Sequence, residues 1–247
     1  MAHYVRRGAV AGLLAGVALA LFLLIVGERS LSQAVSLQNA RAVAETGSSP
    51  EQMFTRGGQL VGGALASVVF GAGMGALFGI AYAALRHRLP GQDDWQRAMW
   101  LAVGAWVVVW AVPATKYPPN PPGVGDPETI TRRTLLWLTL VAWSLLSVWA
   151  SGRFGPWLKA RGASDPTRLT GQVIAYVALI VVAALALPPT GDPITPSANL
   201  IWHFRIASAG GQLLLWSVLG MVFGLLAWRG DHRPKATTVT PSMAPGA

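Results

Sequence analysis

Six long apolar runs constrain this chain more than any other feature. Each run is close to the length of about 20 residues that a helix needs to cross the hydrocarbon core of a bilayer. Only 12% of the residues are charged and 53% are hydrophobic, whereas an ordinary soluble domain carries roughly twice that charged fraction. The sequence therefore predicts an all-α polytopic membrane protein, a bundle of six transmembrane helices. The predicted spans cover residues 8–27, 57–85, 98–114, 134–150, 171–187 and 206–228.

The spans and their connections predict one domain and one tail. We assign residues 1–229 to a six-helix transmembrane domain. Residues 230–247 carry Pro, Thr and Ser with almost no large apolar side chains, which predicts a disordered cytoplasmic tail. Residues 30–49 read as a polar connection, with only a weak pattern for a short interfacial helix. The first run is longer than the core of a usual signal peptide, so we expect a retained span, with a cleaved signal peptide as the competing interpretation.

Glycine recurs at four-residue spacing in several spans, among them the first and the sixth. Gly8, Gly12 and Gly16 share one face of the first span, and Gly220 and Gly224 share one face of the sixth. Glycine destabilises a helix in water relative to alanine, but in a bilayer a smooth small-residue face lets a second helix approach closely. We therefore expect a helix to pack tightly on each of these faces.

The distribution of Lys and Arg predicts the orientation of the chain. The amino end, the loops on its side and the carboxyl tail carry more Lys and Arg than the loops on the other side. Because basic residues collect on cytoplasmic loops, we expect a multi-pass protein of the plasma membrane (the cell inner membrane) with both termini in the cytoplasm. The net charge of +9 has the same explanation, so the lipid bilayer, and not a nucleic acid, is the expected partner.

The segment 116–133 lies between two spans and is built differently from both. Its prolines fix the backbone φ angle and remove hydrogen-bond donors, which excludes a helix or a central strand and predicts a rigid loop on the outer face. A turn at Gly123 and Gly125 should follow, and then a helix that begins at Pro127 after an Asp126 cap. Composition leaves two interpretations open, a shaped site or a plain connector. The four prolines are Pro118, Pro119, Pro121 and Pro122.

The sequence offers little for catalysis or for proton transfer inside the bilayer. The centres of the predicted spans contain no ionisable residue, although such residues mark ion and proton pathways in membrane proteins. The motifs G-x-x-x-x-G-K-[ST], H-E-x-x-H and G-x-S-x-G are absent, and the lack of cysteine excludes thiolate chemistry. We therefore expect no enzyme activity and no permanently bound cofactor.

Charged side chains gather instead at the predicted outer ends of the spans and in the loops that join them. Carboxylate oxygens suit divalent cations and imidazole suits transition metals, but charged side chains at helix ends are also common at membrane interfaces. Two interpretations remain, a structural charge network or a vestibule for a ligand or an ion. The residues are Glu28, Arg56, Lys116, Asn120, Asp126, Glu128, Arg132, Arg133, His203 and Arg205.

Several segments resemble one membrane-protein family. The pattern K-Y-P-x-N-P-P-x-V-G-D-P-x-T-I-x-x-R-T over residues 116–134 resembles the outer loop of CbtA, a family of predicted cobalt transporter subunits. Gly27-Glu28, Arg56-Gly57 and the pattern W-x-F-R-x-x-S-x-x-x-Q over residues 202–212 are similar to the same family. The similarity extends over residues 5–228. It implies a multi-spanning subunit that serves cobalt uptake, often alongside a small, single-span, histidine-bearing partner called CbtB.

With this resemblance, our leading hypothesis is a subunit of a divalent-cation uptake system. Cobalt (Co²⁺) would be the transported ion, and the ion-binding site would lie on the outer face near the proline-rich loop. The ion would contact Glu28, Asp126, Glu128 and His203. The scaffold of the site would consist of Arg56, Lys116, Tyr117, Asn120, Arg132, Arg133, Arg205 and Gln212.

Two alternatives stay open at the level of the sequence. The chain could be a non-transporting accessory or assembly subunit that packs through its glycine-rich faces against another membrane protein, or it could form a homo-oligomer. It could also bind an anionic ligand on the outer face through Arg56, Arg132, Arg133 and Arg205.

Overall fold

The computed structural model describes residues 1–47, 55–122, 124–191 and 196–231. Helices account for most of these residues, and no strand occurs in the described ranges. Two π-helical stretches, Leu23–Gly27 and Val107–Ala111, and a 3₁₀ turn, Pro127–Thr129, join neighbouring helices. The α-helices are α1 (Ala2–Phe22), α2 (Glu28–Thr46), α3 (Arg56–Leu85), α4 (Asp94–Trp106), α5 (Val112–Lys116), α6 (Ile130–Ala160), α7 (Asp165–Ala186) and α8 (Ala198–Asp231).

Six helical stretches in this part of the chain are long and apolar enough to cross a membrane. The prediction of an all-α, multi-pass membrane protein is therefore confirmed. Consecutive spans alternate in direction, so the bundle has a terminal end near Ala2 and Asp231 and a loop end near Gly27 and Lys116. The spans are Ala2–Gly27, Arg56–Leu85, Asp94–Lys116, Ile130–Ala160, Asp165–Ala186 and Ala198–Gly230.

The first, second, third and sixth spans form the core of the bundle. Helix α1 packs against α3 and α8, and α8 packs against α4. Aromatic rings fill the terminal end of this core, where Phe223 meets Phe78 and Tyr82 edge-on at centroid distances of 5.1 and 4.9 Å. The fourth and fifth spans pair with each other beside the third. The chain is thus a four-span core with a two-span hairpin packed against it.

The glycine face of the first span meets glycines of the second span. Gly12 lies against Gly71 and Gly75, and a Cβ built on Gly75 would lie 2.7 Å from the Cα of Gly12. Gly8 and Gly16 approach the backbone of the same helix equally closely. The close helix contact predicted from the glycine spacing is confirmed.

The glycines of the sixth span pack on the third span. A Cβ built on Gly220 would lie 2.6 Å from the Cβ of Ala102. One built on Gly224 would lie 2.9 Å from Cδ1 of Trp95. The second predicted glycine face is therefore also a helix contact, which fixes the third span against the sixth.

The segment after the first span is more helical than the sequence indicates. Instead of a polar connection over residues 30–49, α2 continues the first span without a break as far as Thr46, and Gly47 ends it with a left-handed φ of 72°. Ala34 is buried and α2 packs against α8. Tertiary contacts thus stabilise a helix whose own apolar pattern is weak.

Pro113 shapes the loop end of the third span. A proline inside a helix removes one backbone hydrogen bond and clashes with the preceding turn. The chain widens into the π-helical stretch Val107–Ala111 just before this residue and then continues as α5. The buried Pro113 is accommodated without ending the span.

The predicted domain boundary and the predicted loop turn can be compared in part. Helix α8 continues through Gly230 to Asp231, two residues beyond the boundary predicted at 229. Residues 232–247, the remainder of the predicted tail, lie outside the described residues. In the loop, Gly125 has the positive φ of 87° that a sharp turn requires, and Gly123 lies outside the described residues.

Candidate functional site

Two side chains at the start of the proline-rich loop bind the end of the fifth span. Lys116 donates from Nζ to the backbone carbonyl of Ala184 at 2.5 Å. The Tyr117 hydroxyl donates to the carbonyl of Pro188 at 2.8 Å. The Tyr117 ring is buried, and this burial raises the pKa of its hydroxyl. Because both acceptors are carbonyls that follow or end α7, the two bonds join the third span to the fifth.

Two arginines at the start of the fourth span hold the second half of the loop. Arg133 donates from Nη1 to the carbonyl of Val124 at 2.8 Å, which fastens the loop to the helix that follows it. Arg132 donates from Nη2 to the carbonyl of Pro189 at 3.4 Å. The fourth span is thereby connected to the chain that leaves the fifth.

Arg205, near the start of the sixth span, contacts the middle of the loop. Its Nη2 donates to the side-chain oxygen of Asn120 at 2.9 Å, and its Nε lies 3.4 Å from the carbonyl of Pro119. The contacts of the loop therefore reach the fourth, fifth and sixth spans. We call these six side chains the loop cluster: Lys116, Tyr117, Asn120, Arg132, Arg133 and Arg205.

Glu28 and Arg56 form a separate ion pair between the first and second spans. Arg56 Nη2 lies 2.5 Å from Oε1 of Glu28, and Ser32 donates to the same oxygen at 2.8 Å. These hydrogen bonds, the one from Arg56 above all, lower the pKa of the Glu28 carboxyl group. Arg56 also donates to Gln59 at 3.1 Å. The sequence analysis missed Ser32 and Gln59, although each lies one helical turn from its partner.

His203 lies on the exposed surface of α8. Its Nδ1 is 2.8 Å from the carbonyl of Asn199. Since a carbonyl can only accept, Nδ1 donates this hydrogen bond, and in the neutral form of the ring the lone pair then lies on Nε2, the atom that a metal ion would bind. Gln212 is turned along its own helix, where its side-chain oxygen accepts from Trp216 Nε1 at 3.2 Å. Gln212 is thus not among the contacts of the loop cluster.

The two carboxylates after the loop are exposed. The Oδ1 atom of Asp126 accepts from the backbone nitrogen of Glu128 at 2.9 Å, so it caps the turn that leads into the fourth span, as the sequence predicted. Within the described ranges, no group of three or more His, Asp or Glu side chains is close enough to hold a metal ion. The four predicted metal ligands, including Glu28 and His203, are therefore not gathered around one point in this arrangement.

A second polar cluster lies at the terminal end and was missed by the sequence analysis. Asp94 is only 8% exposed, and its Oδ1 accepts from the Tyr82 hydroxyl at 2.8 Å and from Arg97 at 3.3 Å. Nearby, Arg86 donates to the hydroxyl of Tyr4. In the sequence, Asp94 looks like part of a helix cap, but Asp93 is the residue whose side chain performs that function, accepting from the backbone nitrogen of Gln96 at 2.7 Å.

Comparison with known proteins gives one family. A family model described as "Probable cobalt transporter subunit (CbtA)" matches residues 1–228, a range that includes all six spans and the proline-rich loop. No curated protein matches the chain, and no solved structure matches it.

Proposed function

The chain belongs to the CbtA family of probable cobalt transporter subunits, and on that premise we propose that it serves the uptake of a divalent cation, cobalt, through a binding site on its outer face. The ion is the transported substrate, and the site would lie at the loop end of the bundle. We further propose that the loop cluster is a rigid scaffold for this site and not itself the ligand set.

The observation that carries this proposal is the way in which the cations of the loop cluster are used. Lys116, Arg132 and Arg205 donate to backbone or amide oxygens. The adjacent carboxylates of Asp126 and Glu128 stay exposed. A scaffold whose positive charges bind carbonyl dipoles leaves neighbouring carboxylates available to a cation, which a set of ion pairs would not do.

Glu28 and His203 extend the proposed site along the seam between α1 and α8. Phe22 packs against Gly210, where a built Cβ would lie 3.0 Å from the ring. Helices α1 and α8 run in opposite directions. About two turns from the contact between Phe22 and Gly210, towards the loop end, the first helix reaches Glu28 and the other reaches His203. The two side chains therefore lie at a similar height. His203 would offer an imidazole, and Glu28 would offer its Oε2 atom, because Arg56 and Ser32 both bind Oε1 of that carboxylate.

The carboxylates and the imidazole of the proposed site are not gathered around one point within the described residues, whereas a transition-metal ion usually takes three or more ligands from a protein. We propose that a second chain completes the coordination. A small, single-span, histidine-bearing subunit of the CbtB kind has the chemistry for this, and a second copy of the present chain is the other candidate. The orientation proposed from the Lys and Arg distribution, with both termini in the cytoplasm of a plasma-membrane protein, puts the site on the side from which an imported ion arrives.

An anionic ligand at the outer face is a weaker candidate. Arg56 is paired with Glu28 at 2.5 Å, and Arg132 and Arg205 are engaged with oxygens of the loop and of its neighbours. An anion would have to replace these bonds. The glycine faces invoked for an accessory role at Gly12 and Gly220 are already filled by helices of the same chain.

The test is the initial rate of cobalt uptake by cells that lack other cobalt importers. His203→Ala and Glu128→Gln should each raise the external cobalt concentration for half-maximal uptake, by about tenfold or more if each loses one interaction with the ion. The matched controls lie at the opposite end of the bundle: His87→Ala removes an exposed imidazole, and Asp165→Asn removes a carboxylate that is 88% exposed at the start of a helix.

Both control variants should transport cobalt with the half-saturation concentration of the unchanged protein. Equal half-saturation concentrations for all four variants, at equal amounts of protein in the membrane, would contradict an outer-face site that uses His203 and Glu128.

A further inference from the structure

Two arginines flank one buried tyrosine at the terminal end of the bundle. The ring of Tyr4, which is 5% exposed, has the Cζ of Arg7 at 5.8 Å and the Cζ of Arg86 at 5.5 Å from its centroid. Arg7 belongs to the first span, and Arg86 is the residue directly after the second span. Each guanidinium gains a cation–π contact with the ring, so both positive charges lie within 5.8 Å of the same ring centroid.

Most of the hydrogen-bond donors of these two guanidinium groups are unused. Arg7 makes no hydrogen bond within the described residues, and its Nη1 is buried without a partner. It is held instead by packing, since a Cβ built on Gly230 would lie 2.5 Å from its Cζ. Arg86 donates from Nη1 to the Tyr4 hydroxyl and from Nε to His87. No acceptor in the described chain contacts its Nη2.

Among the side chains that the structure describes, no carboxylate forms an ion pair with either of these arginines. Asp94 is the buried carboxylate at this end of the described chain, and it is already bound by Arg97 at 3.3 Å and by the Tyr82 hydroxyl at 2.8 Å. Neither Arg7 nor Arg86 takes part in an ion pair with a described residue. Both side chains are half-buried, so each keeps an exposed part, and an anion bound there would break no ion pair of the described residues.

We propose that Arg7 and Arg86 bind a phosphate group at the terminal end of the bundle. A guanidinium group offers paired N–H donors that match two phosphate oxygens, and the unused donors lie where three helix ends meet. The Lys and Arg distribution predicts that this end faces the cytoplasm, where anionic lipids carry phosphodiester groups at this depth. A lipid headgroup and a free phosphate share the chemistry that the site recognises.

This proposal is tested with the purified full-length chain in mild detergent. The ligands are phosphatidylglycerol, phosphatidylcholine and inorganic phosphate. Retained lipid is measured by native mass spectrometry, and the effect of phosphate by the midpoint of thermal unfolding. Phosphatidylglycerol should bind more tightly than phosphatidylcholine, because the choline cation opposes the arginines. Arg7→Gln and Arg86→Gln should each weaken binding about fivefold, which corresponds to about 1 kcal/mol per arginine.

The chain offers matched controls one and two residues away. Arg6 and Arg88 are exposed, so Arg6→Gln and Arg88→Gln make the same change of charge at the same end and should leave the affinity nearly unchanged. If phosphatidylglycerol binds more weakly to Arg7→Gln and Arg86→Gln than to the two controls, and inorganic phosphate has no effect, the bound phosphate group belongs to a lipid. If inorganic phosphate raises the unfolding midpoint of the unchanged protein but not of Arg7→Gln, the source is free phosphate.

Equal losses in all four glutamine variants would overturn the site and leave only a general surface charge. So would the absence of both a preference for phosphatidylglycerol and an effect of phosphate. Where a glutamine variant does not purify as a folded protein, Arg7→Lys and Arg86→Lys replace it. They keep the charge but lose the paired donors, so weaker binding is expected, and unchanged affinity in both folded lysine variants would contradict the proposal.

Discussion

Replacing Gly75 by alanine should weaken the contact between the first and second spans. Gly75 lies where α3 crosses α1, and the added Cβ would overlap the carbonyl oxygen of Gly8 and approach Cα of Gly12 to 2.7 Å. Carbon atoms in ordinary contact are about 3.5–4.0 Å apart. The two helices would therefore have to separate by about 1 Å, because both groups that block the methyl belong to a backbone.

The size of the effect follows from two opposing terms. Overpacking of this kind costs about 1–3 kcal/mol, and the higher helix propensity of alanine returns up to about 1 kcal/mol. With the full gain in propensity, the free energy of unfolding should fall by up to about 2 kcal/mol, and by about 1 kcal/mol at the middle of the range. At about 2–4 °C per kcal/mol for a chain of this size, the midpoint of thermal unfolding in detergent should drop by several degrees.

The same helix contains its own control at Gly73. A Cβ built there meets no atom within 4 Å, so Gly73→Ala keeps the gain in propensity without the overlap and should leave the midpoint unchanged or raise it slightly. The two variants differ by one methyl group each and lie two residues apart. If Gly73→Ala lowers the midpoint as much as Gly75→Ala, the close backbone contact does not stabilise the bundle and the reasoning is refuted.

Three further predictions concern the loop end. Removing the Asn120 amide (Asn120→Ala) or its partner (Arg205→Gln) should increase cleavage of the loop in limited proteolysis to a similar extent, and the double variant should be no worse than either single one; additive effects would show that the two residues act separately. Hydrogen bonds lower the pKa of Glu28 below its ordinary 4.5, so the stabilisation from its pair with Arg56 is complete above about pH 4.5 and is lost as the pH falls through the lowered pKa. Because the Glu28 and Arg56 side chains are 30% and 37% exposed, we expect their ion pair to contribute at most about 1 kcal/mol to the free energy of unfolding. Acidification should therefore lower the unfolding midpoint less in Arg56→Gln than in the unchanged protein, and an equal drop in both would contradict this prediction. Tyr117→Phe removes one hydrogen bond from a buried ring and should lower the free energy of unfolding by about 1 kcal/mol, and an unchanged midpoint in a thermal scan would show that the bond is unimportant.

The six spans could be predicted from the sequence because hydropathy acts over the whole length of a helix. Both glycine faces could be predicted for a similar reason, since a spacing of four residues fixes which side of a helix is smooth. The continuation of the first span beyond Gly27 as helix α2 could not be predicted in this way. Its own pattern is weak, and the burial of Ala34 depends on the position of α8, which the sequence does not specify locally.

The sequence singles out the members of the loop cluster as candidate site residues, but it does not indicate their hydrogen-bond partners. Side chains such as Tyr117 and Arg132 bind backbone carbonyls after the fifth span, and any residue type can supply a carbonyl. The sequence also grouped Glu28 with Asp126, because both are carboxylates at the predicted outer ends of spans. The structure has Glu28 paired with the second span, whereas Asp126 caps the 3₁₀ turn that follows it.

The terminal-end cluster was missed because a carboxylate next to a helix start resembles a cap. Asp93 and Asp94 are neighbours, and their sequence does not indicate which of them turns inward. The distinguishing signal is Tyr82, whose hydroxyl lies 2.8 Å from Asp94, and it comes from the other side of the turn. Only the packing of the second span against the third identifies the pair.

The most direct test of the central claim is the initial rate at which labelled cobalt enters cells that lack other cobalt importers, with and without this chain. The measurement should be repeated with a histidine-bearing single-span partner present, over a range of external cobalt concentrations. The account predicts that the chain raises the saturable uptake rate, and that His203→Ala lowers this gain at limiting cobalt. Identical uptake with and without the chain at every concentration, with the partner present and the chain shown to be in the membrane, would contradict it.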